Sequence, residues 1–576
     1  MAEVATTGLA AFVALVEQLD RSTGTTAKVE ALVEYFSGAA PADAAWALQV
    51  LLGKQRRRLI TGRRLRQICL EGSPLPDWLF EECYAHVGDS AETIALLWQQ
   101  LNPAGSQASP LQRSPPHSPL HACPLHVWME ALLPAAAALE HEPQAHRVRQ
   151  LWSDLKPGAL LVMNKLFTGG FRVGVAQGLV IRALAQLSDL EEPLLAHRLM
   201  GGFQPSAEAY RKLIAPAAAE EAVPSRPYPF FLASALPPAD PAAAALAGAA
   251  TAWLCEWKWD GIRGQLIRRG GEGFLWSRGE ELINHAFPEL MEAATALPDG
   301  TVLDGEVIVW PEGAGRPASF ARLQRRLGRK APGRRLLAEC PVVFLAYDLL
   351  EQGGEDRRSW PLSQRRAALD SLIQGHLQAA EHPAAGRLRL SPLLPLESWE
   401  QLEPRRQQAR DAGAEGLMLK GADSPYLAGR KRGHWWKHKL DPCRLDAVLL
   451  YAQAGSGRRA NLFTDYTFGL WNRPPSAPGS TPPRLVSFAK AYSGLNDGEI
   501  GALDRWIRSH TTERFGPVRA VQPLQVFELA FEGLQRSSRH KSGIAVRFPR
   551  IARWRRDKPA PEADCLASAL ALLPPE

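Results

Sequence analysis

The 576-residue sequence lacks any run of 18 or more apolar residues, so no membrane-spanning helix is expected. It is poor in cysteine, with seven at 69, 83, 123, 255, 340, 443 and 565, and no Cys-x-x-Cys pair is among them. That argues against a thiolate zinc site, and an odd, scattered count suits a reducing cytoplasm better than a disulfide framework. The first residues include Glu3 and no cationic stretch, so no secretory signal is read there. Internal repeats are also absent. What remains is 46% hydrophobic, ample for ordinary cores, over a length that suits two to four domains.

The net charge is a modest +7, but it is unevenly placed. Residues 441–576 hold 19 Lys and Arg against 13 Asp and Glu, an excess of six that accounts for nearly all of it. A basic module is the footprint expected of a protein that meets a polyphosphate; a basic, solvated surface looks the same by composition alone.

Residues 1–215 read as helical. Leu9 to Leu19, Lys28 to Phe36, Ala42 to Leu52, Asp77 to Tyr84, Ser90 to Leu101 and Pro124 to Glu140 repeat apolar residues every three or four positions. Pro103 to Pro119 is rich in Pro, Ser, Gln and Gly and reads as an exposed insertion. Pro216 to Ala250 is an Ala/Pro-rich linker leading into a second domain, 216–440, where strands and helices alternate. In the third domain, 441–576, short strands with turn-rich connections (Asp446 to Gln453, Tyr466 to Trp471, Leu485 to Lys490, Leu524 to Phe531) suit a small barrel.

The most informative text is Lys258-x-Asp260-Gly261-x-Arg263. A lysine ends the strand-like run Thr251 to Trp257 and enters an Asp-Gly turn, and a second run, Gln265 to Arg268, follows. A lysine so placed can project into a cleft and attack a nucleotide α-phosphate, provided that its amine is deprotonated by burial or neighbouring cations. Arg263 can hold a phosphate or ribose. The four-residue pattern arises by chance in roughly one chain in a hundred of this length, so its partners decide the matter. They follow in order: Ser277-Arg278-Gly279; the buried-looking strand Val302 to Val309 with Asp304 and Glu306; the apolar strand Val343 to Leu350 with Tyr347; Glu415 before the strand-like Gly416 to Lys420; Trp435 to Lys439, where alternation puts Lys437 and Lys439 on one face and His438 on the other; and Arg547-Phe548-Pro549-Arg550 with Arg555-Arg556-Asp557-Lys558.

This ordered set, the lysine motif and the six that follow it over about 300 residues, resembles the ATP-dependent DNA ligases of the covalent nucleotidyltransferase superfamily. Within that family the chain looks most like the bacterial ligases linked to the cisplatin-damage response. The basis is Ala27-Lys28-Val29-Glu30, Tyr35-Phe36, Trp46-Ala47-Leu48, His86 to Thr93 and the late run Arg536 to Gly543. The missing zinc cysteines set it apart from the NAD-dependent bacterial ligases. The resemblance implies a multidomain α and α+β fold: a helical DNA-binding domain, an adenylation domain of antiparallel sheets with helices, and a C-terminal OB-fold.

It also implies the chemistry. Lys258 takes AMP from ATP, AMP passes to the 5′-phosphate of a nick, and the 3′-OH then displaces it. In this scheme Glu256 accepts from the adenine amino group and Tyr347 stacks on the base, although an aromatic in such a strand is otherwise a core residue. Arg263 and Arg278 contact ribose or phosphates. Glu306 and Glu415 are oxygen ligands for Mg²⁺ or Mn²⁺, with salt bridges to nearby lysines as the compatible alternative. Lys437 and Lys439 neutralise the α-phosphate. Arg555, Asp557 and Lys558 orient the leaving pyrophosphate, with Arg547 and Arg550 just before them, and Asp260 and Asp304 support. Lys54, Arg56, Arg57, Arg58, Arg63, Arg64 and Arg172 are phosphate-contact candidates, each equally readable as a solvated helix face. The partners implied are nicked duplex DNA and a helicase and a nuclease of repair, with no membrane; the protein is expected to be a cytoplasmic monomer. RNA ligases and mRNA-capping guanylyltransferases share the lysine motif but not the helical block. A non-catalytic nick-binding scaffold is the other alternative, opposed by the intact set of charged residues.

Overall fold

The computed structural model describes residues 8–573 except 23, 55–57, 88, 102–119, 121–122, 172–174, 201–202, 217–222, 237–247, 328, 330, 378–384, 456–460, 477–481 and 517. Arg56, Arg57, Arg172, Gly88, the insertion at 103–119 and much of the linker and of the loop at 473–483 therefore lie outside the described residues. The chain divides into two compact units, residues 1–180 with 442–576, and residues 181–441.

The N-terminal part is helical where the apolar spacing predicts it. Helix Gly8–Arg21 buries Leu9, Phe12, Val13, Leu15 and Leu19, and Thr25–Gly38 buries Val29, Leu32, Tyr35 and Phe36. Thr61 starts Gly62–Glu71 by accepting the Arg64 N–H (3.2 Å), an N-cap worth about 1 kcal/mol. The expected helix over Pro124 to Glu140 is interrupted by a π turn at Trp128–Leu132. Pro134 has no N–H to offer, and just before it Leu133 N donates to Trp128 O, five residues back.

The unit 181–441 is built on two sheets. The first runs Leu393–Leu394, Trp253–Trp259, Ala414–Gly421, Trp435–Lys439, Ser234–Ala235. The second runs Glu272–Ser277, Ile262–Arg269, Thr301–Val309, Val342–Gln352, Glu355–Asp356, with Leu388–Leu390 alongside Val342–Gln352. The long pairings are antiparallel; only short flanking strands pair parallel. Trp259, Ile308, Val343, Leu345 and Ala414 join the two sheets in one apolar cluster. On its other face the second sheet packs Leu303 and Phe344 against Leu290 and Leu369 of flanking helices. Beneath Tyr347, Asp348 and Arg365 form a fully buried bidentate pair (2.8 and 2.9 Å), whose loss on one side would strand a charge in the core.

The C-terminal part is a seven-stranded sheet around the long strand Cys443–Ala454, which pairs with Phe463–Trp471, Val518–Val521 and Val526–Phe531. A hairpin, Gly533–Arg536 with Ile544–Arg547, stands apart from it. The strand reading holds here, but the helix Asp497–Ser509 was not expected. Its signature was legible: Asn496 and Glu499 close a reciprocal capping box. Leu503 and Ile507 tie it to the core of Leu449, Phe468 and Phe527. All seven cysteines are free thiols, and no helix among the described residues is long and apolar enough to cross a membrane.

Candidate active site

Lys258 stands within the strand Trp253–Trp259, which continues two residues past the expected end at Trp257. Alternation turns Cys255, Trp257 and Trp259 to the apolar side, so Glu256 and Lys258 share the opposite face. The turn that follows needs glycine: a Cβ on Gly261 would sit 2.4 Å from Val307 O.

Glu415 reaches Lys258 from the neighbouring strand. It lies inside Ala414–Gly421 rather than before it, at a bulge where Gly416 adopts φ +144°. The bulge brings Glu415 Oε2 to 2.5 Å from Lys258 Nζ and 3.6 Å from Lys439 Nζ. The alternation read for Trp435–Lys439 is present: Lys439 faces Glu415, while His438 faces Glu403 at 3.4 Å. The Lys437 ammonium forms no hydrogen bond or ion pair with the described residues. Burial, then the charges of Arg430 and Lys258, lowers its pKa. The Glu306 carboxyl likewise has no such partner among the described residues. Burial pushes its pKa up to about 8, against the pull of Lys258 and Arg263.

Farther along the same face, Glu256 is 2% exposed, not a surface residue. It accepts from Lys420 Nζ (2.7 Å) and Arg366 Nη1 (3.1 Å). Lys420 Nζ also lies 4.0 Å over the ring of Tyr347, so an acceptor, a donor and an aromatic face converge. Such a set can read the edge of a planar base and stack on it. Tyr347 is almost fully buried, as the core reading has it, and its ring borders this group. Neither Lys420 nor Arg366 was singled out from sequence. Lys420 closes the same strand as Glu415 and could have been found by its position; Arg366 sits on helix Leu362–Ser371 and gave no signal.

Arg263 is committed inside the protein. Its guanidinium grips the fully buried Asp304 (2.7 and 3.2 Å) and donates to Phe231 O (2.7 Å). Burial opposes its charge, but Asp304, together with Tyr347 and Tyr426, outweighs this and raises its pKa. Asp304 also accepts from Tyr347 (3.2 Å) and Tyr426 (2.6 Å), so the supporting role read for it is what its contacts describe. Arg278 is exposed, with its N–H donating to Arg263 O (2.9 Å).

In the other unit, Arg555 and Lys558 converge on Asp446, at 2.9 and 2.7 Å. Arg555 also grips Asp557 (2.9 Å), which holds that carboxyl at about 2. Arg547 and Arg550 are elsewhere, over the Phe548 ring (5.5 Å) and on Glu532 (3.1 Å). Of the helical-domain candidates, Arg58 and Arg63 are exposed, whereas Arg64 bonds Gln144 and the His141 carbonyl. Among the described residues no group of three His, Cys, Asp or Glu side chains gathers to hold a metal alone.

Two family models match the chain. Residues 9–185 match the family model described as DNA ligase N terminus, and 232–439 match ATP dependent DNA ligase domain. A probable DNA ligase of Koribacter versatilis is 34% identical over 70% of this chain and 70% of its own. One of Opitutus terrae is 32% identical over 98% of this chain, which spans 62% of that relative's length. A solved structure titled Pmar-Lig_PreS3 shares the fold at TM-score 0.57 and 13% identity, over 94% of this chain and 99% of that one. The site and the matched segments define a nucleotidyltransferase domain behind a helical N-terminal block. The chain belongs to the ATP-dependent DNA ligase family.

Proposed function

We propose that this protein seals 3′-OH/5′-phosphate nicks in duplex DNA with ATP, through a lysyl-AMP intermediate on Lys258. The observation that carries it is Lys258 Nζ bonded to Glu415 (2.5 Å) with Lys439 on the same carboxylate. That is a nucleophile aligned by an acid and flanked by cations. Glu256 and Lys420 meet the adenine edge, and Tyr347 stacks on the ring. Lys437 and Lys439 neutralise the α-phosphate as charge builds on it, and Arg278 contacts phosphate or ribose. Arg263 acts through Asp304, fixing the floor of the site. Arg555 and Lys558 orient the leaving pyrophosphate. Two carboxylates alone do not make a closed metal cage, but they suit Mg²⁺, which is held largely by waters and substrate phosphates. Glu306, whose carboxyl has no hydrogen-bond partner among the described residues, and Glu415 are the residues that would hold it; the ion would supply charge neutralisation on the phosphates.

In this reading residues 1–215 bind DNA, 216–440 carry adenylation and 441–576 form an OB-fold. The N-terminal text and the Arg536 to Gly543 run support a repair role in the bacterial cytoplasm beside a helicase and a nuclease, as a monomer. The test is incubation with α-labelled ATP and Mg²⁺ followed by a denaturing gel. Wild type yields an acid-labile protein-AMP band and then sealed nicks; Lys258→Ala yields neither. A near wild-type band from the variant would remove Lys258 from the nucleophile's place.

A further inference from the structure

Arg555 and Lys558 share a single acceptor atom. Both reach Oδ2 of Asp446, a residue 109 and 112 positions earlier on the strand Cys443–Ala454. Asp446 is 8% exposed, and its second oxygen, Oδ1, is buried without a hydrogen-bond partner among the described residues. Its backbone is braced on both sides: its N–H donates to Asp564 Oδ2 (2.8 Å), and its carbonyl accepts from Asp564 N (2.9 Å). Arg555 is held on a further edge by Asp557 (2.9 Å).

A half-satisfied buried carboxylate is a poor device for stability, since the unpaired oxygen has lost its water. It is a good device for geometry. Two cations repel, and a single oxygen between them fixes their separation and direction. The strand position of Asp446 is fixed by its ladder to Val526–Phe531 and by Asp564, so the pair inherits the rigidity of the sheet. Two cations held side by side match an anion that presents several oxygens at once.

We propose that Asp446 is a positioning residue for the first chemical step, holding Arg555 and Lys558 as one preformed cationic pair for the departing pyrophosphate. The inference rests on the adenylation chemistry proposed above. Asp446→Asn removes the charge while keeping the shape and the backbone bonds to Asp564. On the full chain, two rates are measured: self-adenylation with α-labelled ATP, and sealing of a nick that already carries 5′-AMP. Adenylation is expected to fall about tenfold or more, while the second rate stays within about threefold, because that step has no leaving pyrophosphate. Asp446→Glu, which keeps the charge, is expected to recover adenylation above the Asn level. Asp564→Asn, which loosens the brace alone, is expected to lower the melting temperature without favouring either step.

Equal loss in the two assays, or unchanged adenylation, overturns the role of Asp446. Assays run well below the melting temperature of each variant keep a folding defect from passing for a step defect. An Arg555→Ala/Lys558→Ala variant run in parallel separates the two levels. If it loses both activities equally, the pyrophosphate assignment itself fails; if it is step-selective and Asp446→Asn is not, only the positioning role fails.

Discussion

Glu306 is a carboxylate of the site whose ionisation the fold perturbs strongly. Its folded pKa, about 8, lies above the ordinary carboxylate value. The folded protein therefore favours the protonated form. The stability this contributes is complete below the unfolded pKa and is lost as pH rises through about 8. Lys258 and Arg263 oppose the effect, and the residue is only partly shielded from solvent, so even a single unit of net shift, about 1.4 kcal/mol, sets a modest expectation. In nucleotide-free, chelated protein, Glu306→Gln should melt a few degrees above wild type at pH 9 and near it at pH 5. The same variant should adenylate at least about 10² more slowly, since a neutral amide cannot neutralise a cation. A melting difference that does not change with pH would show that Glu306 ionises normally.

At the scale of elements, the bulge at Glu415 decides whether the lysine has an acid to align it. A regular strand would alternate Glu415 with its neighbours and leave it one residue out of phase with Lys258. Gly416 permits the extra residue by adopting φ +144°, and a Cβ there would meet His438 O at 2.2 Å. Gly416→Ala should cost about 1–3 kcal/mol through backbone strain and slow adenylation by misplacing Glu415. Differential scanning calorimetry and the labelled-ATP gel measure the two effects. Wild-type values in both would mean that the bulge is not needed for the site.

For the whole molecule, the placement of charge is the governing feature. The excess of cations in 441–576 and the exposed Arg58 and Arg63 of the helical part predict binding dominated by phosphate contacts. Nick affinity should therefore fall linearly on a log–log plot against salt. With six to ten contacts it should lose about 10³–10⁵ between 50 and 200 mM. Self-adenylation, which involves no DNA, should change far less over that range. A flat affinity plot would demote these surfaces to solubility.

Much was settled by the sequence alone. The three- and four-residue spacing dictated the N-terminal helices, and the two-residue alternation put Lys437 with Lys439, because both periodicities are local properties of the backbone. The order of the charged motifs identified the family before any contact was known. What only the tertiary structure decided are the pairings across distance. Arg263, read as a ligand contact, is locked on Asp304 41 residues away, and Glu256 holds Lys420 across 164. Arg366 reached the site from a helix that carried no motif, and Asp446 emerged as the shared acceptor of two cations. Strand order and register set which charges meet, and no local periodicity encodes them. The carboxylates of the site became a paired Glu415 and a partly neutral Glu306 only once burial and neighbours were fixed by the fold.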